Sequence, residues 1–502
     1  MTASAGRDVR DVVPRWRDVA STLRAGEFPV RPISAPTPAE LHLLADRQEA
    51  WRAHPTETFA TELVATALAL GRSEDAREAF SFLETSPHSS WHDPPDEAAL
   101  ALGTPPKDNP SGEWTAEHKA MHAQRVAHLR RHLRQDPRSA IAWSELARSY
   151  MALGLIRQAE RAITLALAMA PNNRYLLRNA VCLFISVNQP DRAHALVSRA
   201  AATPRDPWLL AAELTAARVS GRTSKLAKRA LSLAYSADIS PLQVSELASE
   251  LGTMEMAHAS KNAKRLFARA LEEPNDNSLA QAEWASQRLS GINVTPEHLA
   301  RKAAAEARSL HELKEGRWTA AFSNARIWLD DQFFSPKAAI MASYTSAVGL
   351  LDWEASYGTA RLGLLVHPDE ITLLNNAAYA LIEMGRHPEA QELLSRIPES
   401  RLQEPAGVAC LATKGLLAFR EGNPTRGREL YRQAISLAHR SEPNAEALAR
   451  LMLAREEMRI RSDSWESTLA EAIQLGSALN DAGVAAWIER LLAPTKMSAD
   501  DH

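Results

Sequence analysis

Cysteine is almost missing from this chain: among 502 residues only Cys182 and Cys410 occur, 228 positions apart and with no CxxC. That excludes a disulfide scaffold and a cysteine zinc site. Runs of some 18 apolar residues are absent too, so no membrane-spanning helix is expected. Arg7, Asp8, Arg10, Asp11, Arg15, Arg17 and Asp18 stand where a secretory signal needs an apolar stretch, which makes the cytoplasm the expected location. Glycine is scarce at 20 residues, and no GxxxxGK[ST], GxGxxG or GxSxG is present. A phosphate cradle and a nucleophile elbow are thereby excluded. No stretch shows the alternation of β-branched and aromatic residues that marks strands. What remains is 45% hydrophobic and 24% charged, the composition of a folded protein.

The formal charge of −3 conceals an uneven distribution. Residues 115–232 hold 19 Lys or Arg against 7 Asp or Glu, whereas residues 1–114 hold 11 against 18. A basic stretch therefore lies between two acidic ones, and it attracts acidic protein segments or nucleic acid only if its charges share a face.

The main positive signal is a repeat of about 34 residues. Trp143, Leu146, Ala147, Tyr150, Ala159, Ile163 and Pro171 follow the spacing W-x2-L-G-x2-Y, A-x3-F and P, with Ala for Gly and Ile for Phe. The same residues make physical sense as a helix pair: Trp143, Leu146, Tyr150 and Leu153 share one helical face, Gly154 supplies a turn, and Pro171 stops a second amphipathic helix. On this motif the chain resembles the tetratricopeptide repeat family. The resemblance implies an all-α fold, a superhelical solenoid of antiparallel helix pairs, acting as a binding platform for proteins.

Further copies run through Leu63, Ala67, Gly71, Ala76 and Phe80; through Ile340, Tyr344, Ala360 and Gly363; through Leu374, Ala378, Leu381, Gly385, Ala390 and Leu394; and through Leu411, Gly415, Ala418, Gly427, Tyr431 and Ala434. The expected organisation is an N-terminal module (1–84), a Pro-rich linker (85–114), basic repeats (115–236), degenerate helical repeats (237–300), C-terminal repeats (301–441), capping helices (442–494) and a tail (495–502).

Candidate chemistry is thin. His118, His122, His128 and His132 fall within one 120° arc of a helix. They lack a third ligand and the glutamate of HExxH, and Lys119, Arg125, Arg130 and Arg131 surround them, so no metal and no cofactor is expected. Arg125 with His132, and Arg361 with His367, fit a ribonuclease spacing only crudely. No catalytic residue is assigned, and the chain is read as a non-enzyme.

In tetratricopeptide arrays the first helix of each pair lines a concave groove. By that resemblance Arg148, Tyr175, Arg178, Asn179, Trp208 and Arg218 line a basic early groove, and Met341, Asn375, Tyr379 and Phe419 an apolar late one. The leading reading is a scaffold or adaptor that binds a protein partner, its segment acidic, within a multiprotein assembly. A regulator binding nucleic acid or an anionic nucleotide through residues 115–232 is the second reading, and a helical hydrolase or nuclease the third.

Overall fold

A computed structural model describes residues 10–16, 36–85 and 111–493, except residues 71, 259, 302, 405, 406, 440, 441 and 464. Most of the expected linker and the whole expected tail lie outside the described residues. Among the described residues there are helices and turns but no strand. The fold is all-α, built of tetratricopeptide-like helix pairs. Two compact units divide the chain: unit 1 comprises Met1–Glu97 and Lys119–Arg308, and unit 2 comprises Ala98–His118 and Ser309–His502.

Unit 1 begins with α1 (Pro38–Ala53), α2 (Glu57–Ala69), α3 (Arg77–Thr85) and the long α4 (Ser111–Gln135), whose first residues count with unit 2. Five pairs follow: α5 (Ala140–Ala152) with α6 (Ile156–Met169), α7 (Arg174–Ser186) with α8 (Pro190–Arg199), α9 (Pro207–Val219) with α10 (Ala227–Ala234), α11 (Pro241–Ala257) with α12 (Asn262–Glu272), and α13 (Asp276–Ser286) with the short α14 (Pro296–Leu299). Their first helices start 33 to 35 residues apart. Each starts where a polar side chain accepts from the first turn: Ser139, Asn173, Asp206, Ser240 and Asn275 serve as N-caps. The stretch 237–300, which carries no motif, thus obeys the same period.

Leu146, Ala147, Tyr150, Ala159 and Ile163 are buried. Trp143 is only half-buried, because its indole N–H turns outward to donate to the Pro137 carbonyl at 3.0 Å. The N-terminal helices do not stand apart. Trp51, Leu63 and Leu83 share one core with Ile141 and Leu176, and Ala140 N–H donates to Thr58 Oγ1 at 3.0 Å. Apolar burial against the next pair is what a lone pair lacks, so α2 and α3 complete the stack.

Unit 2 takes over within α15 (Ala305–Lys314), paired with α16 (Trp318–Asp331). Then come α17 (Pro336–Tyr344), which runs into a π-helical turn (Thr345–Leu350), and α18 (Trp353–Val366); α19 (Ile371–Glu383) with α20 (His387–Ser395); α21 (Gly407–Arg420) with α22 (Pro424–Ala438); α23 (Pro443–Arg459) with α24 (Trp465–Gly476); and a last helix, α25 (Ala482–Leu492). Gly385, at φ 75°, makes the left-handed turn between α19 and α20; after the π turn Leu351, at φ 55°, occupies the corresponding place without glycine's freedom. Leu374, Leu381, Leu394, Leu411, Leu416 and Tyr431 form the central core.

Candidate partner-binding grooves

Of the three arginines expected to face an acidic ligand, Arg178 and Arg218 are already engaged by carboxylates of their own unit. Arg178 on α7 binds Glu246 on α11 through two nitrogens at 2.8 and 3.1 Å, both side chains buried, while its guanidinium lies 4.5 Å over the Trp208 ring. Arg218 on α9 forks onto Glu250 at 2.8 and 3.0 Å. Arg125 meets Glu145, which also accepts from the Tyr175 hydroxyl, and Arg174 meets Asp206. Asn179 donates to Ser144 Oγ at 3.2 Å, and Arg148 is buried on α5. For these arginines, positive charge along the sequence is therefore not free positive charge in space. Repeat stacking places Arg178 and Arg218 beside Glu246 and Glu250 of α11, acids that lie outside the stretch 115–232 in which the charges were counted.

What the inner helices of unit 1 hold instead is the chain's own residues 10–16, a stretch with no secondary structure. Arg10 donates to Glu306 at 2.7 and 2.8 Å, to Gln281 Oε1 at 2.8 Å and to Asn277 Oδ1 at 2.9 Å. Arg15 also reaches Glu306 and lies 3.2 Å from Asp276. Asp11 accepts from Arg218 at 2.7 Å. Three backbone carbonyls are bound by side chains: Arg10 by Gln281 at 3.1 Å, Val12 by Thr215 at 3.1 Å and Val13 by Asn277 at 2.9 Å. Val12 and Trp16 are each only 1% exposed. Burial works against the charge on Arg10, but the carboxylates of Glu306, Asp276 and Asp11 together raise the guanidinium pKa; Glu250 and Asp11 raise that of Arg218 against the same kind of burial cost.

Sequence reasoning missed this segment. Two signals were present: apolar Val12, Val13 and Trp16 interrupt an otherwise charged stretch, and Pro14 forbids a helix there.

The residues expected to line a late groove in unit 2 have different surroundings. Tyr379 packs edge-on against Trp353 at 5.7 Å, Asn375 is buried, Met341 is half-buried, and burial pushes the Tyr379 hydroxyl up to about 12. Phe419 does not line it: the ring covers Gly427 and Tyr431, inside its own helix pair. Helix α25 folds back so that Trp487 and Val484 pack with Ala447 and Leu451 of α23 and with Val348 of the π turn. Arg490 donates to the carbonyls of Val348 and Gly349, acceptors at the end of a helix where the π turn breaks the usual ladder. A Cβ at Gly483 would collide with the Tyr344 hydroxyl, so only glycine permits this approach.

The histidines expected on one arc do lie on α4, but in different surroundings: His122 is buried, His128 is exposed, and His118 meets Phe333 edge-on at 5.5 Å. Among the described residues no three His, Cys, Asp or Glu side chains come together as a metal site. His367 shares a 2.7 Å hydrogen bond with the Phe334 carbonyl, and burial lowers its pKa. No described helix is long and apolar enough to cross a membrane.

No family model and no curated protein matches the chain. Among solved structures it is similar to yeast Tom70 (13% identity, 73% of this chain and 92% of that one, TM-score 0.30). It is also similar to the APC/C hetero-tetramer Cut9-Hcn1 (12%, 90% and 87%, TM-score 0.42) and to the TPR domain of P58(IPK) (16%, 75% and 96%, TM-score 0.20). The fold assignment rests on the helix pairs themselves.

Proposed function

We propose that the chain is a non-enzymatic scaffold that holds a segment of a partner protein in the groove of unit 1. The observation that carries this reading is the groove's grip on residues 10–16: side chains from α9, α13 and α15 bind both the backbone carbonyls and the charged side chains of a non-helical segment. Binding backbone for affinity and alternate side chains for specificity is how peptide-recognition modules work. The internal pairing of Arg174, Arg178 and Arg218 argues against nucleic acid at these positions, since phosphates need cations that are not already neutralised. Two buried thiols and no disulfide between them suit a reducing compartment such as the cytoplasm.

The test compares two full-length chains. One carries Arg10→Ala, Arg15→Ala and Trp16→Ala to empty the groove; the other adds Asp276→Ala and Glu306→Ala to damage it. Proteins retained by the first and lost by the second are groove partners. Retention of the same proteins by both, with helicity unchanged, would overturn the reading.

A further inference from the structure

We propose that residues 10–16 are a tethered stand-in for the true ligand, and that the unit 1 groove recognises in trans a partner segment of the same chemistry: two arginines five positions apart, aliphatic residues between them and an aromatic residue after the second. The inference rests on the reading above and specifies its partner.

The demand for this chemistry comes from the groove side. Glu306, Asp276, Asn277 and Gln281 converge where a guanidinium is the complementary group: planar, permanently charged and able to donate in several directions at once. Arg10 makes four such bonds and Arg15 converges on the same Glu306, so the groove distinguishes arginine from lysine by geometry, the charge being the same. The carbonyl contacts to Thr215, Asn277 and Gln281 fix the path of the backbone without reading its sequence. Arg218 selects an acidic or polar group beside the first arginine, as Asp11 provides.

The segment contributes no helix to the stack. The segment and its groove belong to one chain, which makes their binding intramolecular, and effective concentrations in linked systems reach the order of millimolar. A cis competitor of that strength lowers the apparent affinity of any free ligand by the fraction of time the groove is open.

The probe is a fluorescent synthetic peptide of residues 8–18. Expected is one peptide bound per chain carrying Arg10→Ala, Arg15→Ala and Trp16→Ala, with binding on the order of 10- to 100-fold weaker to the wild-type chain. Adding Asp276→Ala and Glu306→Ala should remove it, and a peptide with lysine at both arginine positions should bind less tightly than the arginine form. Four results would overturn the proposal. The peptide binds wild type and emptied chain alike; it fails to bind an emptied chain of unchanged helicity; the emptied chain loses its cooperative melt, making the segment a strut; or wild-type chains dimerise by exchanging residues 10–16, which puts a second copy in the groove. Groove partners that the peptide does not displace would sink this chemistry while leaving the scaffold reading intact.

Discussion

The two units are built from the same helix pair, yet their inner faces hold segments of opposite character. Unit 1 surrounds an irregular segment with carboxylates, amides and arginines; unit 2 packs a regular helix, α25, against aromatic and aliphatic side chains. The difference follows from backbone chemistry. A segment without secondary structure arrives with unpaired carbonyls and must be met by donors such as Thr215, Asn277 and Gln281, or its burial costs free energy for every unmet group. A helix satisfies its own backbone, so Val484 and Trp487 need only apolar neighbours, and Arg490 donates to backbone carbonyls of the π turn.

This contrast is open to breaking. Glu306→Arg reverses the charge facing two buried arginines and should destabilise unit 1 by about 3–5 kcal/mol while exposing residues 10–16 to trypsin. A denaturant midpoint and a digestion time course measure both, and a loss below about 1 kcal/mol would demote the segment to a peripheral contact. Trp487→Ala should cost about 3 kcal/mol and open α25 to hydrogen exchange while leaving the exchange of α7 to α13 unchanged, since repeats couple mainly to their neighbours. Arg490→Met removes a charged donor from two carbonyls and should cost about 1.5–3 kcal/mol on the same exchange readout. If it cost more than Trp487→Ala, unit 2 would be held as unit 1 is, by polar contacts. Tyr379→Phe removes a hydroxyl that lies 3.9 Å from Met452 Sδ and accepts from Arg455, and should cost about 1–1.5 kcal/mol on the same readout.

The smallest effect concerns the thiols. Burial pushes Cys182 up to about 12 and Cys410 up to about 11, so at pH 8 the thiolate fraction of Cys182 is on the order of one in ten thousand. Neither should be alkylated by iodoacetamide in the folded chain, and both should be once it is denatured. Rapid labelling of the native protein would place a cysteine at the surface.

Much of the fold was legible because the repeat writes its core into short-range spacing. Ala159 and Ile163 of α6, or Leu374, Ala378 and Leu381 of α19, bury the face their periodicity predicts. The groove was legible only by half. Arg178 and Arg218 do sit on first helices, but their partners Glu246 and Glu250 come from α11, in a stretch with no motif to set the register. The contacts of residues 10–16 were illegible for a different reason: they reach partners more than 200 positions away, and no periodicity joins the segment to the repeat. Phe419 shows a third limit, because a ring at a groove offset turns inward when a glycine, here Gly427, leaves room beneath it.

The central claim is that Arg10 and Glu306 bind one another within a groove made for such a segment. A double-mutant cycle with Arg10→Ala, Glu306→Ala and their combination, read as unfolding free energy of the full chain, tests it most directly. The account predicts a coupling of at least about 1.5 kcal/mol, as close buried charge pairs give. Additive single effects, with a coupling near zero, would contradict it.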